Sequence, residues 1–478
     1  MPSHPSVPAM LNPQCIVERS PAWGSVPSFG QRPSAHGQQL AVLRSLIWGY
    51  FWLLIFEGAL RKWIVPSLSA PLLVVRDPLV LLIYLQALRC RRFPVNGTVL
   101  AYFCLLSGFI LLALTQITVG IGGGPLAAAY GLRTNFLHLP LIFIIPRVFS
   151  YADVLKLGKW VLWLSIPMTV LMVGQFLSPP DSWINATSMA DAQQLTFAMG
   201  KIRAAGTFSY VTGAAHFFVL AAAFLLYAWA ERSDVYSRWL LWPALFSVAV
   251  VQPVSGSRTL VLGCALVVVA AITFGILNPG RAQRVLVVTA LICTAAAALS
   301  LTSFFREAVD VFMTRWDAAS AVAGGVKESL VWRFFGGFAE PFVLLPEAGL
   351  IGKGIGVGTM GASALLTGTL QFLLAEGEWA RVVLEAGPLL GFSFLIYRVW
   401  VAGSIALQAV GAARRQQLLA WLLAWDACRS LVTEQISQPT NLGFMVLVSG
   451  LCLAAMPGNP FGTRHSLERP APAGERLQ

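Results

Sequence analysis

The stretch SRTLVLGCALVVVAAITFGIL, residues 257–277, contains no charged residue after Arg258. A helix of about 20 apolar residues is long enough to cross the roughly 30 Å of bilayer hydrocarbon. Runs of about 17 to 25 apolar residues recur through most of the chain between Leu43 and Met456. This repetition predicts an all-α polytopic membrane protein.

We predict about twelve transmembrane helices, joined by short connectors except at one place. One large loop, residues 304–378, separates the ninth span from the tenth. The tails, residues 1–40 and 458–478, are rich in small and polar residues and are expected to be disordered and cytoplasmic. The bundle occupies residues 43–456, with spans near 43–60, 71–88, 98–118, 126–146, 158–177, 207–229, 238–254, 257–277, 284–303, 379–401, 415–432 and 440–456.

The composition excludes an ordinary soluble enzyme. Hydrophobic residues make up 57% of the 478 residues and charged residues only 11%, against roughly 25% charged residues in soluble domains. The net charge of +12 comes from cations that lie singly or in small groups between apolar spans, which does not favour a nucleic-acid-binding face. The seven cysteines include no CxxC pair and accompany no histidine cluster, so we expect neither a metal site nor a cofactor.

The distribution of Lys and Arg predicts the orientation, because cytoplasmic loops are enriched in these residues. With the N-terminus inside, the segments assigned to the cytoplasm contain most of the cations, including Arg281, Arg284 and Arg398. The same assignment puts both termini in the cytoplasm and the loop at 304–378 on the outer side. The chemistry of the protein is then expected on that outer side.

The long loop is expected to lie partly in the membrane interface. Apolar residues recur at helical spacing opposite acidic ones, which predicts a short interfacial helix with the apolar face Phe305, Val309, Phe312, Met313 and Trp316. Residues 330–345 are too short and too interrupted by Gly and Pro to span, so they should lie in or dip into the interface. Such a loop would either cover a lipid-borne substrate or pack on its own bundle.

Two cationic motifs precede predicted outer helix starts. Ser255-Gly-Ser-Arg258 opens one span, so Arg258 lies in a first helical turn, where the helix dipole disfavours a cation. Hydroxyl caps, free N–H groups and a guanidinium together would bind an anion such as phosphate. The alternative is an arginine that reaches lipid headgroups. Lys201-Ile-Arg203 repeats the arrangement before the span at Thr207, and two arginine forks could grip one diphosphate.

Charged residues inside or beside apolar spans are further candidates. Arg133 lies within a span, at a depth that is costly unless the arginine faces a polar cavity or a partner. His138 nearby is interpreted as a packed histidine. Glu378, Arg381 and Glu385 share one helix face by their spacing. They form either a self-satisfied ion-pair ladder or a carboxylate poised as a general base beside a phosphate-binding arginine.

Three shorter motifs are less specific. Arg61-Lys62 and Arg76-Asp77, near the outer ends of the first two spans, are either interfacial pairs or part of a site. Gly352-Lys-Gly-Ile-Gly-Val-Gly358 is neither a P-loop nor a dinucleotide fingerprint, because it lacks the terminal GK[ST] of the first and the strand–helix unit of the second. Its repeated glycines predict a flexible outer turn whose backbone closely approaches another group.

The chain resembles the O-antigen ligases and O-antigen polymerases of bacterial surface polysaccharide synthesis. The likeness covers roughly residues 43–456, with about twelve spans and a large late loop. Its motifs are the Ser-x-Ser-Arg ending at Arg258, the Gly-x-Gly turn at 354–358 and the acidic stretch at 385–391. The segments GALRKWIVP, LVVRDPLVLLIY and GLRTNFLHLPLIF resemble a branch linked to exopolysaccharide.

One departure from the family bears on mechanism. Members close to the ligases have a histidine shortly before the acidic span, whereas this chain has Ala375-Glu376-Gly377-Glu378 there and no histidine in the loop. A histidine-dependent ligase mechanism is therefore not expected. Glu376 or Glu378 becomes the candidate base.

The resemblance implies a metal-independent glycosyltransferase of the bacterial inner membrane, without a cofactor. Its donor would be an oligosaccharide on undecaprenyl diphosphate, polymerised or transferred on the periplasmic face when an acceptor hydroxyl attacks. Membrane lipids and other polysaccharide assembly proteins would be its further partners. Glu378 or Glu376 would orient or deprotonate the acceptor. The diphosphate would be held by arginines, namely Arg258, Arg203, Arg381, Arg133 and Arg333.

Two other functions stay open. A ligase would transfer the glycan to a lipid A core or another acceptor. A transporter or flippase of lipid-linked sugars would also suit twelve spans and an intramembrane Arg133, although the two halves of the chain show no repeat.

Overall fold

The computed structural model describes residues 35–69, 71–187, 201–231, 235–322, 336–369 and 371–456. Within these ranges the chain is built from α-helices with short π and 3-10 segments. The α-helices are numbered in chain order: α1 Ala35–Ala59, α2 Arg76–Arg89, α3 Gly97–Val119, α4 Gly124–Leu132, α5 Leu141–Val148, α6 Tyr151–Leu177, α7 Val211–Glu231, α8 Arg238–Val254, α9 Arg258–Leu277, α10 Pro279–Ser300, α11 Ser303–Val322, α12 Gly337–Val343, α13 Leu345–Ala348, α14 Met360–Thr367, α15 Glu378–Arg414, α16 Leu418–Thr433 and α17 Pro439–Ala454.

Eight helical segments of the described chain are long and apolar enough to cross a bilayer, so the protein is a helical multi-pass membrane protein. They are Gly37–Ile64, Pro71–Arg89, Gly97–Val119, Gly124–Val148, Tyr151–Leu177, Val211–Glu231, Arg258–Leu277 and Glu378–Arg414. The other predicted spans coincide with α8, α10, α16 and α17. Helix α1 begins at Ala35, inside the tail predicted for residues 1–40, while residues 1–34 and 457–478 lie outside the described chain.

Helices begin where polar side chains can accept hydrogen bonds from the first free N–H groups. Ser150 and Asp153 form a reciprocal capping box at the start of α6. Ser257 caps α9, where its side chain accepts a hydrogen bond from the N–H of Leu260. This cap makes Arg258 the first residue of α9, as the sequence predicts.

Contacts between helix termini divide the bundle into two ends. The loop end is the end at which the described residues 303–322, 336–369 and 371–377 lie. Helix α9 begins there, since Arg258 contacts Trp316 of α11. At the opposite end, here called the tail end, Arg281 of α10 pairs with Glu231 of α7 at 2.5 Å. Helix α7 passes through the centre of the bundle and is buried along nearly its whole length.

Helix α15 is folded back on itself at Gly387. This glycine has φ 71° and ψ 171°, which is not helical. An unbroken helix would separate Glu378 and Arg398 by about 30 Å, yet Arg398 Nη1 lies 2.8 Å from Glu378 Oε1. The first part of α15, residues 378–386, therefore runs back alongside the part that follows Gly387.

The fold-back corrects the position predicted for Arg398. The charge pattern assigns Arg398 to a cytoplasmic segment, but its side chain is 1% exposed and binds Glu378 inside the bundle. The assignment is wrong because a count of cations along the chain assumes that an apolar span runs straight through the membrane. Here the helix reverses its direction at Gly387, so the chain does not run straight through the membrane.

The amphipathic helix predicted at the start of the long loop is confirmed as α11. Phe305 and Val311 are buried, and the helix packs on α8. Met313, assigned by its spacing to the apolar face, is instead 51% exposed. The described part of the interfacial segment predicted at 330–345 forms α12 and the start of α13, whereas Arg333 lies outside the described residues.

The glycine turn at residues 352–358 packs against backbone of the bundle. A Cβ at Gly352 would lie 2.2 Å from the carbonyl oxygen of Glu385, and one at Gly356 would lie 2.0 Å from that of Ala127. Both glycines have positive φ. The close approach predicted from the glycines is confirmed, with helices α4 and α15 as the partners.

Candidate functional site

Buried ionic side chains at the loop end form three groups. The basic cluster consists of Arg61, Lys62, Arg76 and Arg133 with the carboxylates Glu57 and Asp77. The ladder consists of Glu378, Arg381, Glu385 and Arg398. The Glu434 group consists of Asp426, Arg429, Glu434 and His216. Buried charges are costly unless they are paired or used, so this end of the bundle is the candidate site.

Asp77 binds Arg133 through two hydrogen bonds. Arg133 Nε lies 2.6 Å from Asp77 Oδ2, and Arg133 Nη2 lies 2.7 Å from Oδ1. His138 Nε2 lies 3.0 Å from the same Oδ1, and its Nδ1 lies 2.9 Å from the hydroxyl of Tyr50. Asp77 is therefore the partner that an arginine within a span requires. The interpretation of His138 as a packed histidine agrees with these contacts.

Arg76 binds Glu57 rather than its neighbour Asp77. Arg76 Nε donates to Glu57 Oε2 at 2.8 Å, and Arg76 Nη2 donates to the carbonyl of Pro439 at 2.5 Å. The side chain is 0% exposed. The motif Arg76-Asp77 is therefore not a simple interfacial pair, because its two residues bind different partners inside the bundle.

Arg61 and Lys62 attach the end of the first helix to the segment that follows Arg203. Arg61 Nη1 donates to the hydroxyl of Ser209 at 3.0 Å. Lys62 Nζ donates to the carbonyls of Gly206 and Phe208 at 2.6 and 2.8 Å. Both cations are buried and hydrogen-bond neutral oxygens.

The basic cluster contains more cations than carboxylates. Asp77 neutralises Arg133 and Glu57 neutralises Arg76, whereas Arg61 and Lys62 form no ion pair within the described ranges. Four cations and two carboxylates leave the cluster with two formal positive charges in excess. Buried charge without compensation is costly, so an excess of this kind favours an anionic ligand.

Glu378, Arg381 and Glu385 form the ion-pair ladder that their spacing predicts. Arg381 Nη2 lies 2.9 Å from Glu378 Oε1, and Arg381 Nη1 lies 2.9 Å from Glu385 Oε2. Arg398 adds a second guanidinium to Glu378. Arg381 Nη2 also donates to Asn135 Oδ1 at 3.0 Å.

The ladder encloses both Glu378 and Arg381. Each side chain is 1% exposed, and both carboxylate oxygens of Glu378 accept arginine N–H groups. Because arginine N–H groups occupy both oxygens and the side chain is enclosed, an acceptor hydroxyl cannot reach this carboxylate in the present arrangement. The geometry therefore matches the ion-pair alternative. A base role for Glu378 and a diphosphate contact for Arg381 stay predictions that this arrangement does not favour.

Glu434 lies in the turn between α16 and α17, and its partners come from α16, α17 and α7. Glu434 Oε2 lies 2.8 Å from Arg429 Nη1, and Glu434 Oε1 lies 3.3 Å from His216 Nε2. Arg429 Nη2 reaches Asp426 Oδ1 at 2.8 Å. Asn441 donates to Glu434 Oε1 at 3.1 Å. The sequence interpretation missed these residues.

A signal for this group is nevertheless present in the sequence. Residues 433–441, TEQISQPTN, are almost entirely polar and lie between two apolar helices of only 16 residues each. Glu434, Ser437 and Gln438 are all buried. A buried polar turn between two short helices indicates that it lies inside the bundle and not on an outer surface.

Direct contacts join the three groups. Arg76 of the basic cluster donates to the first carbonyl of α17, beside the Glu434 group. Arg398 of the ladder donates to the carbonyl of Glu434 at 2.9 Å. Arg381 of the ladder reaches Asn135, which shares a π-helical turn with Arg133. The loop end therefore contains one continuous ionic network.

Arg258 lies in the first turn of α9 and contacts α11. Its guanidinium carbon lies 5.7 Å from the centroid of the Trp316 ring. Arg258 is partly exposed. A cation–π contact at an exposed site contributes only about 0.5 to 1 kcal/mol. A phosphate could therefore displace the ring from the guanidinium.

The segment Lys201-Ile-Arg203 lies under the same helix. Lys201 Nζ lies 2.9 Å from Glu307 Oε1 of α11. Arg203 is partly exposed, as Arg258 is. Glu307 and Trp316 are separated by about 14 Å along the axis of α11. Helix α11 therefore contacts one residue of each cationic motif that the sequence singled out, Arg258 and Lys201.

Glu376 is exposed and lies near a second carboxylate, Glu340 of α12, which the sequence interpretation missed. Glu340 Oε2 lies against Gly377, where a Cβ would approach it within 2.0 Å. Burial, and then the charge of Glu376, raises the pKa of Glu340 above its usual value. A carboxylate whose pKa is raised is a stronger proton acceptor, so this pair is better suited to base chemistry than Glu378.

Comparison with known proteins does not identify a function for this chain. No protein-family model matches the chain, and no curated protein is significantly similar to it. In the part of the chain that the structure describes, no group of three or more His, Cys, Asp and Glu side chains is arranged to hold a metal ion. The chain is a helical multi-pass membrane protein with a buried ionic network at its loop end.

Proposed function

We propose that the protein is a membrane glycosyltransferase that polymerises, or transfers, oligosaccharide units linked to a lipid diphosphate. The loop end would face the periplasm of a bacterial inner membrane, and the product would be an exopolysaccharide or O-antigen chain. The resemblance to O-antigen ligases and polymerases supports this proposal. The observation on which it rests most is the position of α11.

The contacts of α11 with Arg258 and Lys201 support a role for this helix as a cover over two partly exposed cationic motifs. Its contact with Arg258 is a cation–π contact, and its contact with Lys201 is a salt bridge in which the side chains of Lys201 and Glu307 are 25% and 54% exposed. Exposed salt bridges contribute about 0 to 1 kcal/mol. A diphosphate could therefore replace both contacts, and an amphipathic helix at the membrane interface can move aside for a lipid-borne substrate.

The proposed reaction breaks the bond between the anomeric carbon of the donor sugar and the diphosphate oxygen. The acceptor hydroxyl oxygen forms the new glycosidic bond, its proton passes to a carboxylate, and the lipid diphosphate departs with the electron pair. Arg258 and Arg203 would stabilise the negative charge that grows on the departing diphosphate. In this scheme Arg133 and Arg381 maintain the buried network beneath.

Glu376 is the preferred base, with Glu340 beside it. Glu376 is exposed, so an acceptor can reach it, whereas Glu378 is enclosed. The neighbouring carboxylate disfavours a second negative charge, and therefore favours uptake of the acceptor proton by the pair. Both residues belong to the long loop or its junction with α15.

The direct test is an elongation assay with the purified full chain. Given lipid-diphosphate-linked repeat units and no second acceptor, the protein should produce longer glycans. Arg258→Lys keeps the charge but loses the planar fork, so elongation should fall about a hundredfold, nearly as far as in Arg258→Ala. Arg414→Lys, an exposed change at the tail end, is the matched control.

Three results would change the proposal. Glycan growth that requires a separate acceptor would identify a ligase. Normal elongation by Arg258→Lys would reduce Arg258 to an interfacial residue. An inactive protein that binds no lipid diphosphate would contradict the transferase itself.

The fold-back in α15 favours a second candidate function, transport of lipid-linked sugars. Interrupted helices that bring ionic groups into the interior are typical of secondary transporters. Gly387 interrupts α15, and Arg398 and Glu378 meet inside the bundle. Proteoliposomes distinguish the two functions, since a transporter would move the lipid-linked sugar to the opposite leaflet without lengthening it.

A further inference from the structure

Three guanidiniums of the basic cluster have buried N–H groups without a hydrogen-bond partner in the described chain. The atoms are Arg61 Nη2, Arg76 Nη1 and Arg133 Nη1. Arg61 is 2% exposed and Arg76 is 0% exposed. Arginine has five N–H donors in a fixed fork, and a buried donor without an acceptor is unfavourable, the more so when it is charged. Three such donors in one ionic cluster require an explanation.

Tyr130 adds a fourth unpaired donor at the same place. Its hydroxyl is buried and has no hydrogen-bond partner in the described residues, although its ring is partly exposed. The ring centroid lies 5.2 Å from the guanidinium carbon of Arg133. Tyr130 also interacts electrostatically with Arg61, Asp77 and Glu57. The unpaired hydroxyl therefore belongs to the basic cluster.

The charge of the cluster matches its unpaired donors. Glu57 and Asp77 neutralise two of four cations, and Arg61 and Lys62 account for the remaining formal excess of two positive charges. A single halide would balance half of this excess. Free phosphate and diphosphate can have two negative charges, and a phosphodiester headgroup has one. All of them have several acceptor oxygens, so a phosphoryl group offsets the charge wholly or in part and satisfies the donors.

We propose that the basic cluster binds a phosphoryl group, with Arg61 Nη2, Arg133 Nη1 and Tyr130 Oη as its donors. Arg76 lies deeper, against the ring of Tyr50, where Glu57 neutralises it. Entry is past Tyr130 and Arg133, whose side chains retain some exposure. The site uses other residues than the motifs under α11, and the proposal does not rest on glycosyl transfer.

The phosphoryl group can belong to a free phosphate, a lipid headgroup or a lipid diphosphate. All three present the same oxygens to the same donors. The test therefore uses inorganic phosphate, pyrophosphate and anionic lipid as separate probes. The readout is binding, measured as a saturable rise in the melting temperature of the purified full chain.

Tyr130→Phe is the sharpest variant, because it removes one unpaired hydroxyl and no hydrogen bond within the described chain. Wild type should be stabilised by pyrophosphate beyond the effect of chloride at equal ionic strength. In Tyr130→Phe the apparent Kd should rise about tenfold, the effect of one hydrogen bond to a charged ligand. The matched control is Tyr397→Phe, which removes another buried, unpaired hydroxyl away from these cations and should leave the Kd unchanged.

Arg61→Gln provides a second variant, since it removes one of the two uncompensated charges. It should abolish the saturable shift even if it also lowers the melting temperature without ligand. Melting temperatures measured in nanodiscs of phosphatidylcholine, with and without phosphatidylglycerol, identify which molecule provides the phosphoryl group. A shift with phosphatidylglycerol that Tyr130→Phe weakens identifies a lipid headgroup, and a shift with pyrophosphate in neutral nanodiscs identifies a free or diphosphate ligand.

Two outcomes overturn the proposal. One is the absence of any saturable shift of wild type with all three probes. The other is an equal Kd in wild type and Tyr130→Phe. The elongation assay is independent, because a protein that binds pyrophosphate through Tyr130 but never lengthens a glycan would contradict only the proposed transferase.

Discussion

Glu378 lies between two guanidiniums, and that position limits what the residue can do. Its charge is shared by Arg381 and Arg398, at 2.9 and 2.8 Å. Without the negative charge of Glu378, Glu385 would be the remaining carboxylate of the ladder beside two buried cations. Removing one partner of a buried ion pair costs about 3 to 5 kcal/mol, because the remaining charge is left uncompensated.

We therefore expect Glu378→Gln to lower the free energy of unfolding by about 3 kcal/mol. Thermal and denaturant unfolding in detergent would measure it. Glu347→Gln is the matched control, since Glu347 pairs with Lys353 at the surface and is 59% exposed; its effect should stay within about 0.5 kcal/mol. A Glu378→Gln protein with normal stability and no elongation would instead restore Glu378 as the catalytic residue.

Glu340 gives a prediction with a pH dependence. Its pKa is raised in the folded protein by burial and then by Glu376, so the folded state holds this proton more tightly than the unfolded state. The stability from the protonated form is complete below the ordinary carboxyl pKa and is lost as the pH rises through the raised value. Glu340→Gln should therefore raise the melting temperature at about pH 7 and change it little at about pH 4.

Melting curves of wild type and Glu340→Gln across this range would test the sign. A difference in melting temperature that does not vary with pH would show that burial and Glu376 do not raise the pKa of Glu340. Elongation by wild type should increase over the same rise in pH, because a base must be deprotonated to act.

At the scale of elements, the break in α15 determines which charges meet. Gly387 can adopt a positive φ that other residues rarely adopt, and a Cβ there would lie 2.2 Å from the carbonyl oxygen of Leu350. Without the break, Arg398 could not reach Glu378. The position of one glycine therefore decides the composition of the ladder.

Gly387→Ala should prevent normal folding or cost more than about 2 kcal/mol, through strain at positive φ and the clash with residue 350. Gly403→Ala is the control on the same helix, where a Cβ would meet nothing within 4 Å; it should stabilise the protein by about 0.5 to 1 kcal/mol. Size-exclusion profiles and melting temperatures of both variants are the measurements. Equal behaviour of the two would contradict the fold-back.

The elements themselves were largely predictable. Hydrophobic runs predicted helices because a bilayer imposes a length and an apolar surface, and the 3.6-residue period predicted α11. The cap at Ser257 placed Arg258 correctly in the first turn of α9. The reversal at Gly387 was not predictable, because a Gly-Pro pair inside an apolar run is compatible with a mild kink as well as with a full turn.

At the scale of the molecule, the ionic network depends on contacts between distant segments. The part of the ladder formed by Glu378, Arg381 and Glu385 was predictable because these residues share one helix face at spacings of three and four. The contacts of Arg61 with Ser209 and of Arg398 with Glu434 were not, because they depend on which helices pack together. Glu340 and the Glu434 group were missed for the same reason, because their local sequence does not identify the residues that they contact.

Cysteine labelling should show that the two ends of the bundle face opposite sides of the membrane. On a background without the seven native cysteines, Leu350→Cys should react with an impermeant maleimide from outside. Arg415→Cys should react with this maleimide only after the membrane is permeabilised. Both positions are exposed. Reaction of both from the same side would contradict the orientation predicted from the cations.

The glycine turn at 352–358 is attached to the bundle more firmly than helix α11 is attached to the cationic motifs. Backbone N–H groups of the turn donate to Leu384, Gln116 and Glu385, all within the bundle. These amides should exchange their hydrogens with solvent slowly, since breaking them requires a wider opening of the protein. Helix α11 is attached to the cationic motifs by weaker contacts and should exchange faster. Helix α11 would then move as a cover, while the glycine turn stays fixed to the bundle.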